Sequence, residues 1–293
     1  MLQEAREGTW WVDSGRAGPV VCVSFGVHGD ERAPIEAGLA WVERRAPVLE
    51  RGKLLFLCAN PRAVRENRRW SEGGVDLNRC FHPSVLAREP VLYEERRARE
   101  IAETLERARV EILVDFHCTV EPGRRFLMQH PPLDHAASRR VSDLLAAETL
   151  LADPELRFGG VSLDEWMTTR GRVGLCYETG WLGDPANTPE SVANEMANLW
   201  AGLGLTKSPE PRRFPAKELL ELASVLLCEG AGFAWRAGIG ENLQALRAGT
   251  ELGAYAGGRS VFLERDAVLV FPKKKPELVA PGRPLVYLAR ARG

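Results

Sequence analysis

The chain has no Cys-x-x-Cys pair, no apolar run of membrane-spanning length and no surplus of charge of either sign. Each absence removes a class of function. Six cysteines (Cys22, Cys58, Cys80, Cys118, Cys176 and Cys228) are scattered, and Cys22, Cys58 and Cys176 sit inside apolar runs, so reduced and mostly buried thiols are expected. A net charge of -1 with acids and bases interspersed offers no sustained basic face, which argues against nucleic acid or an anionic membrane as partner. Arginine far outnumbers lysine, a bias best explained by base composition. The first seven residues lack the apolar centre of a secretory signal, so the expected location is the cytoplasm. No internal repeat is visible.

What is present is an ordinary globular content: 293 residues, 45% of them apolar, enough for one large domain and a small one. Strand-like runs at Val20 to Phe25, Lys53 to Cys58, Ile112 to Phe116, Arg125 to Gln129 and Val173 to Tyr177 alternate with helix-like stretches, the pattern of a layered α/β domain. Helices are predicted over Arg32 to Arg45, Val91 to Arg109, His135 to Leu151 and Ser191 to Gly202. In the second of these, Glu94, Glu95, Arg96, Arg97, Arg99, Glu100 and Glu103 read as a solvated face. Residues 59–90 form a long polar stretch anchored by Trp70, Leu77 and Phe81, which reads as active-site wall.

Composition shifts near Leu205 to Pro215, where prolines and charges suggest a linker. Beyond it, short apolar runs (Ala223 to Cys228, Phe233 to Trp235, Val261 to Leu263, Ala267 to Phe271, Leu285 to Ala289) are broken by Gly, Pro or charge. They predict a small all-β unit. Gly249 to Gly253 and Val279 to Pro284 read as turns, and Lys273-Lys-Lys275 as a surface turn.

The chemistry gathers at strand ends, where sites assemble in open α/β sheets. His28 and Glu31 lie three apart in a Gly-flanked turn after the first strand, and His117 ends the run Ile112 to Thr119. Two imidazoles and a carboxylate make a set suited to a catalytic zinc, which commonly takes three protein ligands and leaves a position for water. A lone His117 would more simply be a hydrogen-bonded core residue, but it is not alone. Asp115, two residues back on the same strand face, is placed to orient the imidazole. Cys118 is a weaker ligand candidate, because neighbouring strand side chains point to opposite faces.

Six pieces then stand in order: His28-Gly-Asp-Glu31, Asn60-Pro-Arg62, Asp76-Leu-Asn-Arg79, Asp115-Phe-His117, Thr168-Thr-Arg170 and Glu178-Thr-Gly180. Together they resemble the succinylglutamate desuccinylase and aspartoacylase family, over most of residues 18–205. The resemblance implies a zinc carboxypeptidase-like three-layer α/β/α domain with a mixed sheet over residues 1–205. It also implies a small barrel-sandwich-like β domain over 206–293, near the active-site entrance. It further implies one Zn²⁺ per chain on His28, Glu31 and His117, with Glu178 as general base. Arg62 would face the substrate carbonyl, and Asn78, Arg79 and Arg170 would receive a substrate carboxylate, with Arg172 as the alternative to Arg170. The pocket tyrosine of acyl-aspartate enzymes has two candidates here, Tyr255 and Tyr287.

The expected activity is hydrolysis of the amide bond of a small N-acyl amino acid or related carboxylate-bearing amide. A zinc carboxypeptidase acting on peptides, or a non-catalytic metal-binding relative, are the alternatives. Whether copies of the chain assemble as a homo-oligomer is open.

Overall fold

Strands that are apolar at every position need cover on both faces of their sheet, and here they have it. The computed structural model describes residues 2–44, 46–133, 135–159, 161–207 and 210–292. Its first part contains β1 (Leu2–Arg6), β2 (Thr9–Asp13), β3 (Val20–Phe25), α1 (Arg32–Arg44), β4 (Lys53–Cys58), α2 (Pro61–Glu66), α3 (Pro83–Ala87) and α4 (Tyr93–Arg107). There follow β5 (Ile112–Thr119), β6 (Phe126–Gln129), α5 (Ala136–Ser142), β7 (Thr149–Ala152), α6 (Leu163–Thr168), β8 (Val173–Trp181) and α7 (Pro189–Gly202). The C-terminal part holds β9 (Glu218–Leu227), β10 (Ala234–Trp235), β11 (Ala245–Leu246), β12 (Glu251–Ala254), β13 (Ser260–Phe262), β14 (Ala267–Val270) and β15 (Pro284–Ala291), with one 3₁₀ turn at Pro276–Leu278.

One twelve-stranded sheet runs β1-β2-β4-β3-β5-β8-β6-β7-β9-β15-β14-β11. Its centre is parallel, β4 and β5 flanking β3 and β8 following β5, while β6 runs antiparallel to β8. Alternate residues explain the layers. Val21, Val23 and Phe25 pack with Leu199 and Trp200 of α7 on one face, whereas Cys22, Leu55 and Leu113 pack with Ile101 and Leu105 of α4 on the other. This is the expected mixed α/β fold with a C-terminal β region. The junction between the two parts is a strand pair: β9 lies parallel to β7, with Thr149 opposite Glu218 and Ala152 opposite Glu221, so the sheet passes without a break from one to the other.

Several local expectations change. The predicted helix from His135 to Leu151 stops at Ser142, and Thr149–Ala152 becomes β7 because β6 and β9 offer it partners on both sides. The stretch read as a turn at Gly249 to Gly253 carries β12, paired with β10 and β13. A hairpin of β1 and β2 precedes the first expected strand. The charge run of α4 is not all wet, for Glu94, Glu95 and Arg97 are buried. Glu94 accepts from Asn60 Nδ2 (3.3 Å), the Ser71 N–H (3.1 Å) and the Val75 N–H (3.3 Å), so it fastens the long polar stretch to the helix. Among the described residues no helix is long and apolar enough to cross a membrane.

Candidate active site

Past the end of β3 the chain turns at Gly26, whose φ of +68° favours glycine, and delivers His28 to the carboxyl edge of the sheet. Gly29 is required for another reason. A Cβ there would stand 2.1 Å from the backbone carbonyl of Ala63, so the turn presses directly on α2. Glu31 then immediately precedes α1, and β5 brings His117 alongside.

All three side chains are buried. His28 Nδ1 lies 2.6 Å from Glu31 Oε1, His117 Nδ1 lies 3.0 Å from Glu31 Oε2, and the Cys118 N–H donates to the same Oε2 at 3.1 Å. The far nitrogen of each ring rests on an aspartate, His28 Nε2 on Asp76 (3.1 Å) and His117 Nε2 on Asp115 (2.9 Å). Donor atoms of His28, Glu31 and His117 all fall within 4.8 Å of one another. Two imidazoles held by outer carboxylates and one carboxylate between them form a donor set that fits a divalent transition metal such as zinc. Burial pushes the Glu31 carboxyl up, but His28 and His117 outweigh it and hold the group far below the ordinary carboxylate range.

Glu178 stands opposite His117 across the β5–β8 pair and is 6% exposed. Its Oε2 has no hydrogen-bond partner, and burial, with Glu31 adding to it against His117, pushes the carboxyl up to about 7. A carboxylate held near neutrality with a spare oxygen can both take and return a proton.

The expected arginine changes. Arg62 lies on α2, paired with Glu66 at 3.1 Å and over the Tyr93 ring, with its side chain 44% exposed and outside the cleft. Arg69 takes the place in the cleft. The left-handed Asn67 (φ 50°) ends α2 and turns the chain back, bringing the Arg69 guanidinium 3.3 Å from Asp76 and 3.9 Å from Glu31. Asn78 is buried beside His117, with Nδ2 3.5 Å from His117 Nε2 and Oδ1 accepting the Leu163 N–H. Arg79 is exposed and donates to the Asn78 carbonyl (2.8 Å). Arg170 and Arg172 both pair with Glu106, Arg170 stacked over Trp166, so neither is brought to the site. The Cys118 thiol accepts from Asn187 and is pushed up to about 12, chiefly by burial, which suits a packed thiol better than a ligand.

The lysine cluster is also different from a surface turn. The segment after β14 folds over the cleft, so that Phe271, Pro272, Lys273 and Lys274 line it together with His28, Arg69 and Glu178. Burial and the nearby charges of Arg69 and Arg79 pull Lys273 down to about 8. The cleft encloses about 460 Å³ including its mouth. Tyr255 and Tyr287 are both buried in the C-terminal part, the first accepting from the Glu229 N–H and the second packed on Phe158. Neither lines the cleft.

Residues 17–152 match the family model described as the succinylglutamate desuccinylase/aspartoacylase catalytic domain. Among curated proteins, none matches the chain by sequence. Solved structures share its fold. A succinylglutamate desuccinylase from Vibrio parahaemolyticus superposes with a TM-score of 0.80 at 17% identity, covering 100% of this chain and 88% of the other. The same enzyme from Chromobacterium violaceum gives 0.75 at 20% identity over 100% and 91%. Murine aminoacylase 3 gives 0.73 at 16% identity over 94% and 96%.

Proposed function

Since residues 17–152 carry the catalytic domain of the succinylglutamate desuccinylase/aspartoacylase family, we propose that the chain hydrolyses the amide bond of a small N-acyl amino acid. The family consists of hydrolytic deacylases acting on amide bonds. In this reading His28, Glu31 and His117 hold one Zn²⁺ per chain. The observation that carries it is the convergence of these three groups beside the unpartnered Glu178 oxygen in a roofed cleft.

When bound, zinc supplies Lewis acidity, which brings the pKa of a water to about 7 and polarises a carbonyl. Glu178 takes the proton from the attacking water and returns it to the departing nitrogen. Arg69 faces the oxygen on which negative charge develops and stabilises that charge more than the ground state. Lys273, Arg79 and Asn78 attract and orient a substrate carboxylate. The roof over the cleft favours small substrates, which supports a deacylase over a carboxypeptidase. Six free, buried thiols accord with work in a reducing cytoplasm.

The test is amine release by the zinc-loaded protein from a panel of N-acetyl and N-succinyl amino acids, beside peptides of the same C-terminal residues. Faster turnover of the N-acyl amino acids is expected. Faster cleavage of the peptides would overturn the proposal.

A further inference from the structure

A second group of potential ligands lies in the interior, and none of its members lines the cleft. We propose that His130, Asp153 and Glu165 form a structural site for a second divalent transition metal. They come from three segments: His130 follows β6, Asp153 follows β7 and Glu165 lies in α6. All three are buried, at 1%, 1% and 0% exposure, and their donor atoms fall within 4.8 Å of one another.

The signal is the imidazole. His130 Nδ1 is buried without a hydrogen-bond partner, and it faces Asp153 Oδ2 at 3.9 Å and Glu165 Oε1 at 3.8 Å. A protonated ring bridging those oxygens would draw them to about 2.8 Å. Donors sharing a metal with bonds of about 2.1 Å stand about 3.4 Å apart in a tetrahedron, so the ring-to-carboxylate spacings of 3.9 and 3.8 Å lie within about half an ångström of that geometry.

The surroundings are those of held ligands. Asp164 accepts the other ring nitrogen, His130 Nε2, at 2.9 Å, the carboxylate–histidine arrangement that orients a metal-bound imidazole. Asp153 is fixed by the Arg157 N–H on Oδ1 (2.9 Å), and Glu165 by the Val161 and Ser162 N–H groups on Oε2 (2.7 and 2.9 Å). Asp153 Oδ2, which also accepts the Phe158 N–H at 3.4 Å, and Glu165 Oε1 both face the ring. One nitrogen and two carboxylate oxygens suit zinc or manganese better than calcium, which takes six to eight oxygens. The site would clamp the ends of β6 and β7 to α6, whose Leu163 N–H is bonded to Asn78 beside His117.

The experiment is a crystal of the full chain grown with Zn²⁺ and measured on both sides of the zinc absorption edge, beside elemental analysis of dialysed protein. An anomalous peak between His130, Asp153 and Glu165 is expected, separate from any peak at His28. The His130→Ala and Glu165→Gln variants should each lose one equivalent of zinc, while His28→Ala keeps that equivalent. No anomalous peak at His130 in the unaltered chain, with zinc content unchanged in Glu165→Gln, would overturn the proposal and leave a bridging water as the occupant. The diffraction result needs no variant, so a failure of His130→Ala to fold does not affect it.

Discussion

Replacing Arg69 with methionine removes a guanidinium while keeping an apolar stem, and the same change at Arg62 is its matched control. Arg69 stands 3.3 Å from Asp76 and 3.9 Å from Glu31, with its side chain 26% exposed. At an effective dielectric near 20 those contacts amount to roughly 4 to 5 kcal/mol each before desolvation is subtracted, enough to hold the group in one place. The part that reaches the rate is smaller. Losing one donor to a developing oxyanion typically costs about 3 to 4 kcal/mol, so Arg69→Met should lower kcat by about 10²- to 10³-fold. Arg62 is 44% exposed and meets only Glu66 and the Tyr93 ring. Such a surface pair contributes at most about 1 kcal/mol to stability and nothing to the chemical step. The assay is steady-state kcat and KM on an N-acyl amino acid, with zinc content measured on the same samples. Equal activity of the two variants, or a larger loss at Arg62, would refute the assignment of Arg69.

Glu178 supplies a pH signature: its carboxyl is pushed up to about 7 and only the ionised form is a base, so kcat/KM should fall as pH drops below about 7. Glu178→Gln should keep its metal and lose about 10²- to 10⁴-fold in kcat, and turnover at the parent rate would rule out that base. Lys273, pulled down to about 8, is charged below that pH and neutral above it. KM for an anionic substrate should therefore rise above pH 8, and Lys273→Met should raise KM at pH 7 by about tenfold, the equivalent of about 1.4 kcal/mol, and flatten the alkaline rise; an unchanged KM would remove Lys273 from substrate binding. Gly29→Ala puts a methyl 2.1 Å from the Ala63 carbonyl carbon, so a loss of about 1 to 3 kcal/mol in urea unfolding is expected, together with weaker zinc retention. Parent-like stability and metal content would show that the turn has room to spare.

What could be read from the sequence was whatever depends on neighbours in the chain. His28 and Glu31 share one turn and Asp115 and His117 share one strand face, so their convergence needed only strand ends meeting at one edge. The placement of Arg62 away from the cleft was hidden for the same reason. Its place beside Asn60-Pro61 is local, but Asn60 caps α2 and sends residue 62 outward along that helix, and only the left-handed turn at Asn67 shows that the chain comes back at Arg69. Lys273 had no local signal, because its place in the cleft depends on the segment after β14 crossing it about 240 residues away from His28. The helix predicted through Leu151 failed where partners on both sides outweighed the helical preference of Leu and Ala. That neither Arg170 nor Arg172 reaches the site was visible only from Glu106, which engages both.

The strand pair that joins β7 to β9 fastens the C-terminal part to the front of the sheet with no hinge between them. Admission to the cleft then rests on the short segment after β14 and the side chains at its rim, which together gauge molecular size. Cutting the chain near residue 205 would bare the unpaired backbone of β7 as well as uncover the cleft. Such an edge invites other strands, so the severed front portion should clump in solution before it can be assayed.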